Sequence, residues 1–186
     1  SARLNFCITM SFKSSIVLAA LGLFLANACI APDCNNKDFG SCGNACCKLS
    51  FEVAAADDKI ASVFNETLAG GGPDSRFFES TLAEGVRNVA DLRPYGVGVS
   101  FIGQTIHTTA KRIYNDTINF TIFKKNESAA TVNVFSISQI GGAYGDDGQN
   151  FKNIAVLMKD VYAKLNLEFS YTHADSSCPE PATVTM

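Results

Sequence analysis

Between Leu49 and Val53 the chain alternates, with Leu49, Phe51 and Val53 on one side and Ser50 and Glu52 on the other. A period of two predicts a strand with one buried face. The period then lengthens. Asp57 or Asp58 can cap a helix in which Ile60, Val63, Phe64 and Leu68 recur at helical spacing, and Gly70, Gly71 and Gly72 end it. Similar spacing puts Phe78, Leu82, Val86 and Val89 on one face of a second helical stretch over 77–92, with Gly85 as its weak point. After Pro94 alternation returns, and Val97, Val99 and Phe101 predict a strand.

The clearest strand is YNDTINFTIF, 114–123. Here Tyr114, Ile118, Phe120 and Ile122 form an apolar face, while Asn115, Thr117, Asn119 and Thr121 form a polar face expected to look at solvent. KKNES (124–128) supplies a turn, and TVNVFSISQI (131–140) returns as the partner strand. A glycine-rich turn, 141–150, leads into the strongest helix signal: Phe151, Ile154, Leu157, Met158, Val161, Tyr162 and Leu165 share one face. Asn166 can take the left-handed position that ends such a helix. A last strand is predicted over 167–173, with Leu167, Phe169, Tyr171 and His173 facing one way. Antiparallel hairpins combined with amphipathic helices define an α+β fold. The expectation is an antiparallel sheet of about five strands, with two or three helices on one side and an N-terminal Cys-rich segment tied to the C-terminus.

Targeting signals change this picture at the N-terminus. Lys13 precedes the apolar run SSIVLAALGLFLANA, which closes on Ala26-Asn27-Ala28, small residues at the positions a signal peptidase reads. Residues 1–28 are therefore expected to be upstream residues and a secretory signal, with Met10 as the start and cleavage after Ala28. Cleavage removes Arg3 and Lys13 and no acid, so the mature chain is more acidic than the formal net charge of −3. An acidic chain without a basic stripe argues against a nucleic-acid partner, and no later segment is long and apolar enough to span a bilayer. The chain after residue 28 is long enough to bury a core unaided.

Seven cysteines occur, and six of them follow the signal: Cys29, Cys34, Cys42, Cys46, Cys47 and Cys178. In an exported chain six cysteines read as three disulfides, with the connectivity open. Adjacent Cys46 and Cys47 close a ring on each other only with strain, so each should reach a different partner. Because Cys178 stands alone near the C-terminus, at least one bond is expected to stitch it to the N-terminal cluster. The cluster lacks paired metal-ligand spacing and has no nearby histidine, so no metal or cofactor is expected.

Export also gives meaning to four glycosylation acceptors, Asn65, Asn115, Asn119 and Asn126, each two residues before Ser or Thr. The turn GGAYGDDGQN matches neither a phosphate-binding loop nor an EF-hand. It delivers a helix N-terminus with acids near its positive end, and Tyr144, Asp146, Asp147 and Asn150 form a candidate turn or ligand site. The two histidines, His107 and His173, belong to no recognisable triad. His173 continues an apolar face and His107 is read as equally compatible with solvent. No catalytic residue is assigned.

The stretch VFSISQIGGAYGDDGQNFKNIAVLM resembles the end of the family called domain of unknown function 1499, in which a Ser-rich strand precedes a Tyr-Gly-Asp-x-Gly-x-Asn turn and a helix. Ser136, Ser138, Tyr144, Gly145, Asp146, Gly148, Asn150 and Ile154 carry the likeness, which covers about residues 99–165 and implies no activity. The chain then divides into 1–28, a Cys-rich segment 29–48, a single α+β domain 49–178 and a flexible tail 179–186. The expected protein is secreted, disulfide-stabilised, glycosylated and monomeric. It is a binding or structural module for a small apolar ligand held between sheet and helix, or for an extracellular partner. The alternative is a secreted enzyme using acids near the glycine-rich turn.

Overall fold

A computed structural model describes residues 45–79, 89–140, 143, 145–173 and 178. The signal, Cys29, Cys34, Cys42, Tyr144 and the tail 179–186 lie outside the described residues. The element order is β1 (Cys46–Val53), α1 (Asp57–Ala69), β2 (Phe77–Glu79), β3 (Val89–Asp91), β4 (Phe101–Thr108), β5 (Asn115–Asn126), β6 (Ala129–Ser138), α2 (Gln149–Leu165) and β7 (Thr172–His173). The strands form one antiparallel sheet in the order β2-β4-β5-β6-β1-β7, with β3 also paired to β4. Four long strands make the body of this α+β fold, and the three short ones extend its edges. β2 and β3 pair with successive parts of the same edge of β4, so that edge is covered in two pieces.

Register sorts the side chains. Cys47, Leu49, Phe51 and Val53 of β1 share a face with Val132 and Val134 of β6 and with Ile118, Phe120 and Ile122 of β5. Both helices pack on this inner face, α1 toward β4 and β5 and α2 toward β6 and β1. Phe64 of α1 stacks on Phe120 with ring centroids 4.2 Å apart. Phe151, Ile154, Leu157, Met158 and Val161 of α2 are fully buried. Beyond them Tyr162, Phe169 and Tyr171 pack around Phe51. These side chains fill the space between sheet and helices. The apolar-ligand site expected there is not what this apolar packing provides, and the cavities open at the polar end of the inner face and on the outer face.

Four further expectations change. The stretch 77–92 begins and ends in strand rather than helix, because Phe77 is buried against the sheet while Phe78 is 41% exposed, an alternation that pairing with β4 stabilises. The strand expected at 97–101 starts only at Phe101, since Gly96 and Gly98 both have positive φ and turn the chain. Of 167–173, only Thr172 and His173 pair, against β1. Finally, the polar face of β5 is only partly open: Asn115, Asn119 and Thr121 are half-buried, and Thr117 is wholly buried and lies between Ile106 of β4 and Ile137 of β6. Those apolar neighbours cannot be read from β5 alone.

Two glycines have conformational reasons. Gly72, at φ +72, sits where a Cβ would overlap the Phe77 ring, and Gly148 takes φ +74 immediately before α2. Asn166 ends α2 in the left-handed conformation expected of it.

Cys47, wholly buried on the inner face, is bonded to Cys178 across a separation of 131 residues, with Cα atoms 4.5 Å apart. This bond links the N- and C-terminal regions. Cys46 points to the outer face beside Phe135 and Ile137 and is disulfide-bonded to a partner outside the described residues. Replacing both Cys47 and Cys178 by serine removes the long-loop constraint and is expected to destabilise the protein by about 2–5 kcal/mol. Denaturant unfolding of the oxidised parent and the double variant measures the difference, and equal stabilities would contradict this role.

Candidate functional site

The α2 end of the inner face is polar. His107, Asp116 and Ser138 form one cross-strand row, and Thr105, Ile118 and Ser136 form the next. All but Ile118 are polar, yet Thr105, His107, Asp116, Ser136 and Ser138 are each buried. Groups so placed need partners; Thr105 Oγ1 donates to the Phe78 carbonyl at 2.9 Å, and for Asp116, Ser136 and Ser138 the first turns of α2 supply them. Asn150 Nδ2 donates to the Ala45 carbonyl at 2.8 Å, to Asp146 Oδ2 at 2.7 Å and to Ser138 Oγ at 3.3 Å. Ser136 Oγ donates to Asn150 Oδ1 at 2.6 Å. One turn on, Asn153 Nδ2 donates to Asp116 Oδ2 at 2.8 Å and to Ser136 Oγ at 3.3 Å, while Gln149 Nε2 donates to Asn153 Oδ1.

The candidate turn residues divide. Asp146 caps α2, accepting from the backbone N–H groups of Gly148 and Asn150. Asn150 is the hub of the buried network. Asp147 is exposed and has positive φ. The Ser-rich strand and the turn meet because Ser136, Ser138, Asp146 and Asn150 converge on one junction.

His107 is buried rather than open to solvent. It is 2% exposed, packed beside Phe77 with ring centroids 4.5 Å apart, and its Nε2 lies 3.0 Å from Asp74 Oδ2. Asp74 also accepts Arg76 at 2.8 Å. An ionised carboxylate only accepts, so Nε2 carries the proton of this hydrogen bond. Nδ1 of the imidazole is buried without a partner. A cavity of about 170 Å³ is lined by Asp74, Arg76, His107, Gln149, Lys152, Asn153 and Val156. Burial raises the Asp116 carboxyl above its ordinary range, opposed by hydrogen bonds from Asn153 and Ser138 and by attraction to His107.

A second, larger cavity of about 430 Å³ lies on the outer face, where no described helix packs. Ile102, Phe123 and Phe135 give it apolar walls, and Gln104, Asn119, Thr121 and Asn133 give it neutral hydrogen-bonding groups. Lys48 brings one charge. Asn119 therefore lies in this groove, where its Oδ1 accepts from Gln104 Nε2 at 2.6 Å. Among the other acceptors, Asn65 and Asn126 are exposed and Asn115 is half-buried.

Sequence reasoning missed Asp74, His107, Asp116 and Asn153. One signal was present: Asp116, Ser136 and Ser138 occupy the same parity as Ile118, Val132 and Val134, so polar groups interrupt an inward-facing pattern. The His107 environment depends on residues far apart in the chain and had no local signal. Among the described residues no group of three or more His, Cys, Asp or Glu side chains is placed to hold a metal ion.

The raised Asp116 has a definite pH signature. The folded state holds this proton more tightly than the unfolded chain, so its contribution is complete below the ordinary carboxylate value of about 3.9. It is lost as pH rises through the raised folded value. Asn at this position can still accept from Asn153 without becoming charged. The Asp116→Asn variant is therefore expected to gain stability relative to the parent as pH rises from about 4 to 7. Denaturant unfolding across that range measures it, and a pH-independent difference would contradict the assignment. In comparisons with known proteins, no family model and no curated protein matches this chain.

Proposed function

We propose that this chain is an exported binding module whose ligand lies in the groove on the outer face of the sheet. The carrying observation is the groove's chemistry: apolar walls from Ile102, Phe123 and Phe135 beside the neutral polar groups of Gln104, Asn119, Thr121 and Asn133. Its volume falls within the roughly 300–1,000 Å³ of small-molecule sites. The ligand is an uncharged molecule with an apolar body and hydroxyl or amide groups, more polar than the wholly apolar molecule expected from sequence.

Export is supported by the Cys47–Cys178 bond, which belongs to an oxidising compartment, and by the signal-like run before Cys29. Among the described residues no helix is long and apolar enough to cross a membrane. In this reading Asn65 and Asn126, both exposed, carry glycans, and Asn119 stays bare so that the groove remains accessible. Kinship with domain of unknown function 1499 belongs to the same proposal. Its support is that Ser136, Ser138, Asp146 and Asn150 of the shared motif join in one hydrogen-bonded junction, which makes that motif a folding device rather than a ligand site.

Octyl glucoside below its micellar concentration has the required chemistry, an apolar chain on a neutral polyol. The parent is expected to bind it saturably in a ligand-observed NMR titration. Ile102 is 40% exposed, so Ile102→Arg obstructs the groove without opening the core and is expected to weaken binding about tenfold or more at unchanged Tm. Equal binding by parent and variant would overturn the reading.

A further inference from the structure

The outer face of the sheet is not uniform. Phe78, Ile106, Thr117, Ile137 and Cys46 form one cross-strand row on it, running from β2 through β4, β5 and β6 to β1. Ile106, Thr117, Ile137 and Cys46 are 6%, 0%, 1% and 7% exposed. Further along the same face Gln104, Asn119, Thr121, Asn133, Lys48 and Ser50 are only half-buried, and Ile102 is 40% exposed. Neighbours within the sheet thus leave side chains on this face partly open, so the closed row needs a second layer. Both helices pack on the inner face. Among the described residues, the buried cluster of Cys46, Phe135 and Ile137 draws on β1 and β6 alone. Gln139 Nε2 donates to Thr117 Oγ1 at 3.0 Å, which satisfies that hydroxyl, but one exposed side chain does not shield four residues on four strands.

Exposure along the row tells where the cover comes from. It is lowest over β1, β6, β5 and β4 and returns to 41% at Phe78 on β2. A cover arriving from residues 80–88, which continue from β2, would shield Phe78 first. The C-terminal region is held by Cys178 to Cys47, on the inner face. Cys46 supplies the positive indication: it points outward and is disulfide-bonded outside the described residues. A disulfide holds its two Cα atoms within about 7 Å. With Cys47 and Cys178 bonded to each other, every remaining cysteine precedes β1, and all of them but Cys7 of the upstream region lie in the Cys-rich segment.

We infer that residues 29–44 form the second layer over this end of the outer face, tied there by a bond from Cys46 to Cys29, Cys34 or Cys42. Ile30 and Phe39 are the two large apolar side chains of that segment. Phe39 is the closer of the two to β1 and seats on Ile106, Thr117 and Ile137. From β1 to β4 is three strand spacings, about 14 Å, a distance that a handful of extended residues spans. The Cys-rich segment is therefore part of the folded sheet domain rather than an appendage to it. Phe135 belongs both to the covered cluster and to the groove wall, so the segment borders the groove, and its placement holds whether or not the groove takes a ligand.

The test uses the full oxidised chain. Methyl NOE spectroscopy is expected to connect the Ile106 and Ile137 methyl groups to the Phe39 ring, and non-reducing peptide mapping to join Cys46 to Cys29, Cys34 or Cys42. In Phe39→Ser these methyls should lose their protection from a soluble gadolinium relaxation agent, while Val132 and Val134 on the inner face stay protected and report an intact fold. Contacts from Ile106 and Ile137 to 80–88 or 179–186 instead, no contact from outside the sheet, a Cys46–Cys7 bond, or parent-like protection in a folded Phe39→Ser variant would each overturn the inference. If that variant does not fold, the NOE and mapping results on the parent decide.

Discussion

The side chain of Asn150 joins three parts of the chain that sequence keeps apart. It bonds the carbonyl of Ala45 just before β1, Ser136 and Ser138 at the end of β6, and Asp146 in the turn that starts α2. A buried amide can be placed this way only if every donor and acceptor finds a partner, because an orphaned one costs about 1–3 kcal/mol. That requirement fixes which residue of α2 sits over which residue of β6. An apolar helix face sets depth and rough direction, whereas a satisfied polar junction sets register. Once Asn150 is fixed, Asn153 falls one turn along the same face and meets Asp116, and the cavity beside His107 takes its shape.

The sheet divides labour between its faces. The inner face is packed, with Phe51 and Phe120 of the sheet and Phe64 and Phe151 of the two helices all buried, and it supplies most of the apolar burial that stabilises the fold. Its polar end spends that stability on a network with one imidazole nitrogen left unsatisfied. The outer face mixes Ile102, Phe123 and Phe135 with amide side chains, which suits recognition of a neutral amphiphile better than burial in a core. The Cys47–Cys178 bond closes the C-terminal region onto β1, next to the short edge strand β7, so the strand holding Phe51 is constrained by covalent and noncovalent contacts together.

Much of the architecture was legible in the sequence. The hairpin of β5 and β6 and the helix α2 have long amphipathic patterns with clear ends, and the lone C-terminal cysteine forced a long crossing. What escaped was set by distant partners. The segment around Phe77 and Phe78 has the spacing of a helix but pairs with β4, and no local rule reveals that strand edge. Asp116 looked like part of a strand's ordinary variation until register placed it between His107 and Ser138. Asp146 and Asn150 stood out as a possible site because they are polar residues in a tight motif, and the geometry gives them work in holding α2 instead. The His107 cavity draws on residues from 74 to 156, a range that no spacing rule connects.

The claim that this junction orients α2 is tested most directly by site-resolved amide hydrogen exchange on an Asn150→Ala variant. The account predicts faster exchange at the α2 N-terminus and at residues 45–47 and 136–138, with the hairpin between β4 and β5 protected as in the parent. Unchanged protection at those three places would contradict it.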